Sequence, residues 1–127
     1  MNRVLTIFNR SQFINTKRFF SINTTLYDKV YTDSEEWISN NKIGISKYGL
    51  EQLSEIIYLE FSCEEGDNIN KGEDIAIIES VKAAESIEAP YDCIILENNI
   101  NLEENLDIIN NNPECEDNSW IVKIKKL

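Results

Sequence analysis

One lysine of this chain stands where its amine could be acylated by another enzyme. Lys82 lies within Glu79–Glu85 (ESVKAAE), between two short β-prone stretches at residues 74–78 and 85–90. These stretches predict the two strands of a hairpin and leave only residues 81–83 for the reversal. A lysine at a hairpin tip packs against nothing and is reachable by a modifying enzyme. The spacing therefore predicts a covalent modification site at Lys82.

The plain alternative is a solvated turn lysine without a function, which is the usual state of such a residue. The chemistry of this turn argues against it. The run contains none of the Asn-Gly, Asp-Gly or Gly-Gly pairs that tight hairpins prefer. Something other than ease of turning therefore determines which residues stand here.

The residues around Lys82 resemble the lipoyl-lysine signature of the glycine cleavage system H-protein family, ESVKAA, which Glu79–Ala84 reproduces. Other segments resemble further motifs of that family. In chain order they are Tyr31–Trp37 (family YTxxHEW), Ile43–Tyr48 (VGITDY), Leu53–Glu60 (LGDIVYVEL), the turn glycines Gly66 and Gly72, Ala89–Pro90, and Trp120–Lys125 (GWLIKIK). Each motif alone is weak, but the ordered set covers roughly residues 31–125 and is specific.

This resemblance implies a fold and a cofactor. The fold is all-β, a lipoyl/biotinyl-carrier-like barrel-sandwich over residues 31–127 with one short helix near residues 46–53. The cofactor is lipoate, attached covalently to Lys82. The resemblance also implies that the attaching enzyme recognises the hairpin through the neighbours of that lysine, which are Glu79, Ser80, Val81, Ala83 and Ala84.

The resemblance further implies a carrier without catalytic residues. In the family, the arm takes the aminomethyl group of glycine from a pyridoxal phosphate-dependent glycine decarboxylase to a tetrahydrofolate-dependent aminomethyltransferase. Dihydrolipoyl dehydrogenase then reoxidises the arm, and a lipoyl ligase or transferase attaches it. A group in transit needs shelter from water, so we expect a cleft near Glu35, Glu36 or Asp92.

Several alternatives stay open. An H-like protein could relay lipoate to the lipoyl domains of 2-oxoacid dehydrogenases without cleaving glycine. A 2-oxoacid dehydrogenase domain would typically show DKA at the lysine, and a biotin carrier would have Met on both sides, where Val81 and Ala83 stand. An interaction module with an unmodified Lys82 is the remaining possibility.

The chain departs from the family at several positions. Glu35 stands where His is usual, and Ser54 and Cys93 replace turn glycines. Residues 110–119 also lack the glycines of the family. We expect Asp92, Asn111 and Asn118 to adopt the positive φ values that these glycines would supply. The family usually continues into a C-terminal helix, whereas this chain ends at Leu127, so either the helix is dispensable here or the chain is truncated.

Short apolar runs separated by Gly, Asn, Asp or Pro predict strands across the domain. They lie at residues 42–46, 56–61, 75–78, 87, 94–96, 107–109 and 120–124. Ser46–Leu53 is predicted as a short helix with Ser46 as its N-cap. The Asn-rich stretches 98–101 and 110–112 are predicted as loops, and the two tryptophans, Trp37 and Trp120, as core residues.

The first 27 residues differ in charge from the rest. They contain Arg3, Arg10, Lys17 and Arg18 and no acid, and the first three recur every seven residues on one helix face. This pattern predicts a mitochondrial transit peptide over residues 1–20, removed on import to the matrix, followed by a flexible segment at 21–30. A plastid address is the main rival, and a disordered basic tail the plain alternative.

Composition excludes several function classes. The net charge of −11 disfavours nucleic acid as a partner. The chain has no histidine, which removes the commonest general base and any His-based metal site. Its three cysteines form no CxxC pair, so no metal site is indicated. No apolar run approaches the ~20 residues that span a bilayer, so no membrane association is expected.

Overall fold

The computed structural model describes residues 29–127, and the predicted transit peptide and residues 21–28 lie outside them. The described residues form nine strands: β1 (Val30–Tyr31), β2 (Glu36–Ser39), β3 (Lys42–Ile45), β4 (Ile56–Phe61), β5 (Asn68–Ile69), β6 (Asp74–Ser80), β7 (Ala84–Glu88), β8 (Cys93–Asn98) and β9 (Val122–Lys126). Three short helices complete this part of the chain: α1 (Lys47–Leu53), α2 (Asn101–Glu104) and α3 (Leu106–Asn111). The first strand begins one residue before the predicted domain start at residue 31.

The strands form two antiparallel sheets. The larger has the order β1-β2-β3-β9-β8-β5, and the smaller has the order β4-β6-β7. Alternate residues of the strands meet in one apolar core that is rich in isoleucine. Its most buried members include Ile43, Ile56, Ile75, Ile78, Ile95, Ile121 and Ile124. The predicted all-β sandwich is therefore confirmed.

Both tryptophans are buried, as predicted. Trp37 is fully buried and its Nε1 donates to the carbonyl of Pro113 at 2.8 Å. The indole lies against the backbone of Gly44, where an added Cβ would meet ring atoms at 2.5 Å. Trp37 thus ties β2 and β3 to the loop that precedes the last strand.

Helix α1 confirms the helix predicted from Ser46–Leu53. The hydroxyl of Ser46 accepts from the N–H of Gly49 at 3.0 Å, as an N-cap does. The helix ends at Ser54, which has a φ of 73° and donates its N–H to the carbonyl of Leu50. Ser54 therefore has the positive φ that favours the glycine it replaces.

The segment after β8 was predicted incorrectly. Residues 107–109 lie in helix α3 and not in a strand, and Asn101 begins helix α2 and not a loop. In α3 the spacing of Leu106 and Ile109, three residues apart, places both apolar side chains on one side of the helix, and Leu102 in α2 packs into the same core. Leu102 and Ile109 are fully buried there. Residues 29–127 therefore contain three short helices where one was predicted.

The predicted positive-φ positions were also wrong. Among the described non-glycine residues, positive φ values occur at Glu35, Asn40, Asn41 and Ser54, and not at Asp92, Asn111 or Asn118. Asn40 and Asn41 form the two-residue turn between β2 and β3, where both φ values are positive, as in a type I′ turn. Cys93 lies fully buried inside β8, so this position does not form a turn.

Candidate acylation site and the adjoining cavity

Strands β6 and β7 form the hairpin that carries Lys82. Glu79 pairs with Ala84 as the last pair of the ladder, and residues 81–83 make the reversal. These are the three residues that the sequence predicted. The ladder thus places Lys82 at the middle of the turn.

The side chain of Ser80 holds this turn in place. Its hydroxyl oxygen lies 3.1 Å from the N–H of Lys82 and 3.2 Å from the N–H of Ala83, and accepts from both. The N–H of Ser80 donates to the carbonyl of Ala83 at 2.8 Å. A serine hydroxyl that accepts from the second and third residues after it can hold a tight turn that contains no glycine. The absence of turn glycines is therefore explained.

The turn presents its side chains to solvent. Val81 is 83% exposed, and Lys82, Ala83 and Ala84 are exposed as well, whereas Ser80 is buried beneath them. Glu79 is half-buried. The structure thus brings all six predicted hairpin residues together, with the Lys82 side chain exposed to solvent.

A cavity of about 290 Å³ lies between β7 and helix α1, on the buried side of the smaller sheet. Its apolar walls are Ile45, Leu53, Ile78 and Ile87. Its polar lining consists of Ser34, Glu35, Gln52, Glu85 and Ser86. A cavity with both apolar and polar walls suits a chain that is aliphatic along its length and carries a polar group.

Of the three acids predicted to lie near a cleft, only Glu35 lines this cavity. It has a φ of 67°, and its carbonyl accepts from the N–H of Ser46 at 2.8 Å. Asp92 accepts instead from the N–H of Lys71 at 2.8 Å, and does not line the cavity.

Glu36 is a buried carboxyl at the start of β2. It accepts from the hydroxyl of Thr32, and from the N–H of Glu88 at 3.2 Å. Burial raises the pKa of Glu36, and the two hydrogen bonds only partly oppose this effect. Glu36 borders a separate pocket with Lys71 and Pro90.

Tyr48 and Gln52 line the cavity from helix α1 and were not predicted from the sequence. They are four residues apart and therefore lie on the same side of that helix. Both are exposed, so hydrophobic patterning gave no signal for them. The 48/52 spacing inside a predicted helix was the only available indication.

Comparisons with known proteins identify the family. The model of the glycine cleavage H-protein family matches residues 29–127. The glycine cleavage system H protein of Dinoroseobacter shibae is 44% identical over 99 residues, which cover 75% of this chain and 79% of that protein. This chain belongs to the glycine cleavage H-protein family.

Further H proteins show similar agreement. A probable H protein of Picrophilus torridus is 40% identical over 99 residues, covering 75% of this chain and 77% of that protein. The crystal structure of an H protein from Mycobacterium marinum superposes with a TM-score of 0.69 at 22% identity, covering 80% of this chain and 85% of that chain. The structural match supports the fold.

Other reactive groups in this H-protein domain are few. Cys63 and Cys93 are free and buried. Burial raises the pKa of Cys63 to about 11 and also raises the pKa of Cys93, which keeps both thiols protonated and unreactive at neutral pH. Within residues 29–127, no cluster of three His, Cys, Asp or Glu side chains could hold a metal ion. No helix in this range is long and apolar enough to cross a membrane.

Proposed function

We propose that this chain is the lipoyl carrier of a glycine cleavage system, with lipoate attached to Lys82. The observation that carries the proposal is the placement of Lys82, exposed at a hairpin tip beside an apolar cavity in a chain of the H-protein family. When bound, the lipoyl group supplies a dithiolane that accepts and releases an aminomethyl group. The residues of the chain position and shelter this group and do no chemistry themselves.

The dimensions of the hairpin support this assignment. A lipoyl-lysine arm extends roughly 14 Å if each of about eleven bonds advances ~1.25 Å. Glu85–Ile87, which line the cavity, follow Lys82 by three to five residues, or roughly 10–17 Å at ~3.3 Å per residue. The cavity is thus within reach of an arm that folds back along β7.

The lining of the cavity supports a sheltering role. Its walls, including Leu53 and Ile87, exclude water from an aliphatic chain, while the carboxylates of Glu35 and Glu85 provide acceptors at the polar side. A basic aminomethyl nitrogen would find a favourable charge at either carboxylate. Shelter of this kind limits hydrolysis of the carried group in transit.

The partners follow from the same proposal. The carrier receives lipoate from a lipoyl ligase or transferase, which reads Glu79, Ser80, Val81, Ala83 and Ala84 around the lysine. It then visits the pyridoxal phosphate-dependent decarboxylase, the tetrahydrofolate-dependent aminomethyltransferase and dihydrolipoyl dehydrogenase. Tethering raises the effective concentration of the arm at each site once the protein docks. The proposed compartment is the mitochondrial matrix, supported by the basic and acid-free residues 1–27.

Intact-mass analysis of the protein from its native source tests the attachment. One lipoyl adduct is expected, and Lys82→Arg should abolish it while changing the free energy of unfolding by less than about 0.5 kcal/mol, since the tip is exposed. Glu79→Ala and Val81→Ala should slow attachment, because the ligase reads the surrounding hairpin. Biotin on Lys82, or no adduct in lipoate-replete cells, would refute the carrier function.

A reconstituted system tests the reaction. The lipoylated protein, mixed with the three enzymes and tetrahydrofolate, should release carbon dioxide from glycine and pass one carbon to the folate. Free lipoate at equal concentration should substitute poorly, because it does not dock. If glycine cleavage fails while the protein still donates lipoate to dehydrogenase domains through a lipoyl transferase, lipoate relay is its function.

A further inference from the structure

The smaller sheet has a second surface that the carrier function leaves unassigned. Its inner side holds Leu59 and Ile78 in the core, and residues directly opposite in the ladder share a side. The other side carries two rows, Tyr58–Glu79–Ala84 and Glu60–Ile77–Ser86. We define these six residues as the outer face.

Large apolar side chains are exposed on the outer face and next to it, at the end of the sheet that carries Lys82. Tyr58 is 46% exposed. Its neighbour Ile57, at the irregularity between Ile56 and Tyr58, is 52% exposed, and Val81 at the tip is 83% exposed. Single exposed apolar residues are ordinary, but neighbouring ones at one end of a sheet are typical of an interaction surface.

The charge of this sheet is nearly all of one sign. Strands β4, β6 and β7 with their turn contain five acids, Glu60, Asp74, Glu79, Glu85 and Glu88. Lys82 is the only cation in these segments, since the other seven lysines of residues 29–127 lie elsewhere. Of these acids, Glu60 and Glu79 lie on the outer face. Acylation of Lys82 removes its charge, so attachment of lipoate leaves these segments without a cation.

We infer that the outer face, with Tyr58 on its edge strand β4 and Glu60 and Glu79 beside it, docks against the basic active-site entrance of the glycine-decarboxylating partner. The inference rests on the proposed function. That partner binds the carboxylate of glycine and the phosphate of its cofactor, and both anions favour positive potential at the entrance. An acidic surface that also exposes an apolar side chain is the complement of such an entrance.

The placement is compatible with the use of the arm. Most of the hairpin residues that line the cavity, Ile78, Glu85 and Ile87, lie on the inner side, while Ser86 on the edge strand β7 is common to the cavity and the outer face. Docking through Tyr58, Glu60 and Glu79 would therefore leave the inner side of the cavity uncovered. Lys82 lies at the tip of the hairpin, so its arm can leave the cavity while the sheet stays bound.

Binding of the full-length lipoylated protein to the purified decarboxylase tests the inference, with the dissociation constant measured by calorimetry. Tyr58→Ser should weaken binding about 10-fold. Glu60→Gln should weaken it about 3-fold at low salt, with no effect near 1 M salt, where charges are screened within ~3 Å. Glu65→Gln is the matched control, because Glu65 lies outside the outer face. Its loop is held against β8 of the larger sheet, where the N–H of Gly66 donates to the carbonyl of Ile95. This control should change binding less than about 2-fold.

A second comparison isolates the charge of Lys82 from the arm. The unmodified protein and its Lys82→Gln variant both lack lipoate, but only the first has a cation on the acidic surface. Lys82→Gln should bind the decarboxylase about 3-fold more tightly at low salt, and equally at high salt. Equal binding at low salt, or tighter binding by the unmodified protein, would overturn the electrostatic part of the inference.

The remaining outcomes separate this inference from the proposed function. If the wild-type lipoylated protein supports glycine cleavage but Tyr58→Ser and Glu60→Gln bind like Glu65→Gln, the docking surface is elsewhere and the inference is wrong. If the wild-type protein neither binds the decarboxylase nor supports cleavage, the proposed function fails and the inference fails with it. Lipoyl content, measured by mass, must be equal in all lipoylated variants.

Discussion

Ser80 supports the acylation turn from its buried side. Its hydroxyl is shared by the N–H groups of Lys82 and Ala83, and its own N–H bonds the carbonyl of Ala83. The turn is therefore fixed without help from the lysine side chain. A modifying enzyme meets an exposed amine on a backbone whose position is already determined.

Replacing Ser80 by Ala should lower the free energy of unfolding by roughly 1–2 kcal/mol. The change leaves two N–H groups of the turn without their intramolecular acceptor, and part of this loss is recovered from water. Urea denaturation measures the effect. Ser62→Ala is the control, since this exposed serine lies at the far end of β4 and should change stability by less than about 0.5 kcal/mol. Equal effects of the two changes would show that the hydroxyl of Ser80 does not hold the turn.

Glu36 should make the stability of the domain depend on pH. Burial raises the pKa of this carboxyl above its ordinary value of 4.5, so the folded protein holds the proton more tightly than the unfolded chain. The stability that Glu36 contributes is therefore complete below pH 4.5 and is lost as the pH rises through the raised pKa. The free energy of unfolding of wild type minus that of Glu36→Gln should accordingly fall between pH 4 and pH 8.

Urea titrations across that range would measure this difference. Glu55→Gln serves as the control, because Glu55 is exposed before β4 and its variant should follow the wild-type profile. A difference between wild type and Glu36→Gln that is constant or grows with pH would contradict a raised pKa at Glu36.

At the scale of elements, helix α3 covers part of the β4 edge of the smaller sheet. The side chain of Asn110 accepts from the N–H of Ile56 at 2.8 Å and donates to the carbonyl of Ile56 at 3.0 Å. An amide side chain thus bonds the edge strand β4 as a neighbouring strand would. This contact blocks part of a strand edge that could otherwise pair with another chain.

Asn110→Ala should destabilise the domain by roughly 1–3 kcal/mol, because both polar groups of Ile56 lose a partner at a half-buried position. The adjacent Asn111 is exposed, so Asn111→Ala provides a control with the same change of side chain. Thermal unfolding distinguishes the two variants. A similar melting temperature for both would mean that Asn110 contributes no more than a surface asparagine.

The elements also show which parts of the fold were predictable. The turn at residues 81–83 and the N-cap at Ser46 followed from local chemistry, since flanking strands and a capping serine determine them. Helix α3 was missed because the apolar run at residues 107–109 was interpreted as a strand and the asparagines at residues 110–112 as a loop. Its apolar side is explained by contacts with β4, which are distant in sequence. The same holds for the cavity, which depends on α1 packing beside β7.

At the scale of the whole molecule, the proposed acylation site and the core use separate residues. The core extends from Trp37 to Ile124, and the family match covers residues 29–127. Lys82 and its turn project from one end of the smaller sheet, outside this core. A carrier built in this way could present its arm to several enzymes without changing its fold, since residues 81–84 are exposed and lie outside the core.

The distribution of charge along the chain leads to the last prediction. Arg3, Arg10, Lys17 and Arg18 are the only charged residues before Asp28, whereas the rest of the chain is strongly acidic. Deleting residues 1–20 should leave a soluble, folded domain, because the core formed by residues 29–127 includes no residue of the deleted segment. The truncated protein should no longer enter the mitochondrion. Circular dichroism and the urea midpoint measure folding, and fractionation of cells that express both forms measures import. Loss of folding on truncation would show that residues 1–20 belong to the domain, and import of the truncated form would show that they are not its address.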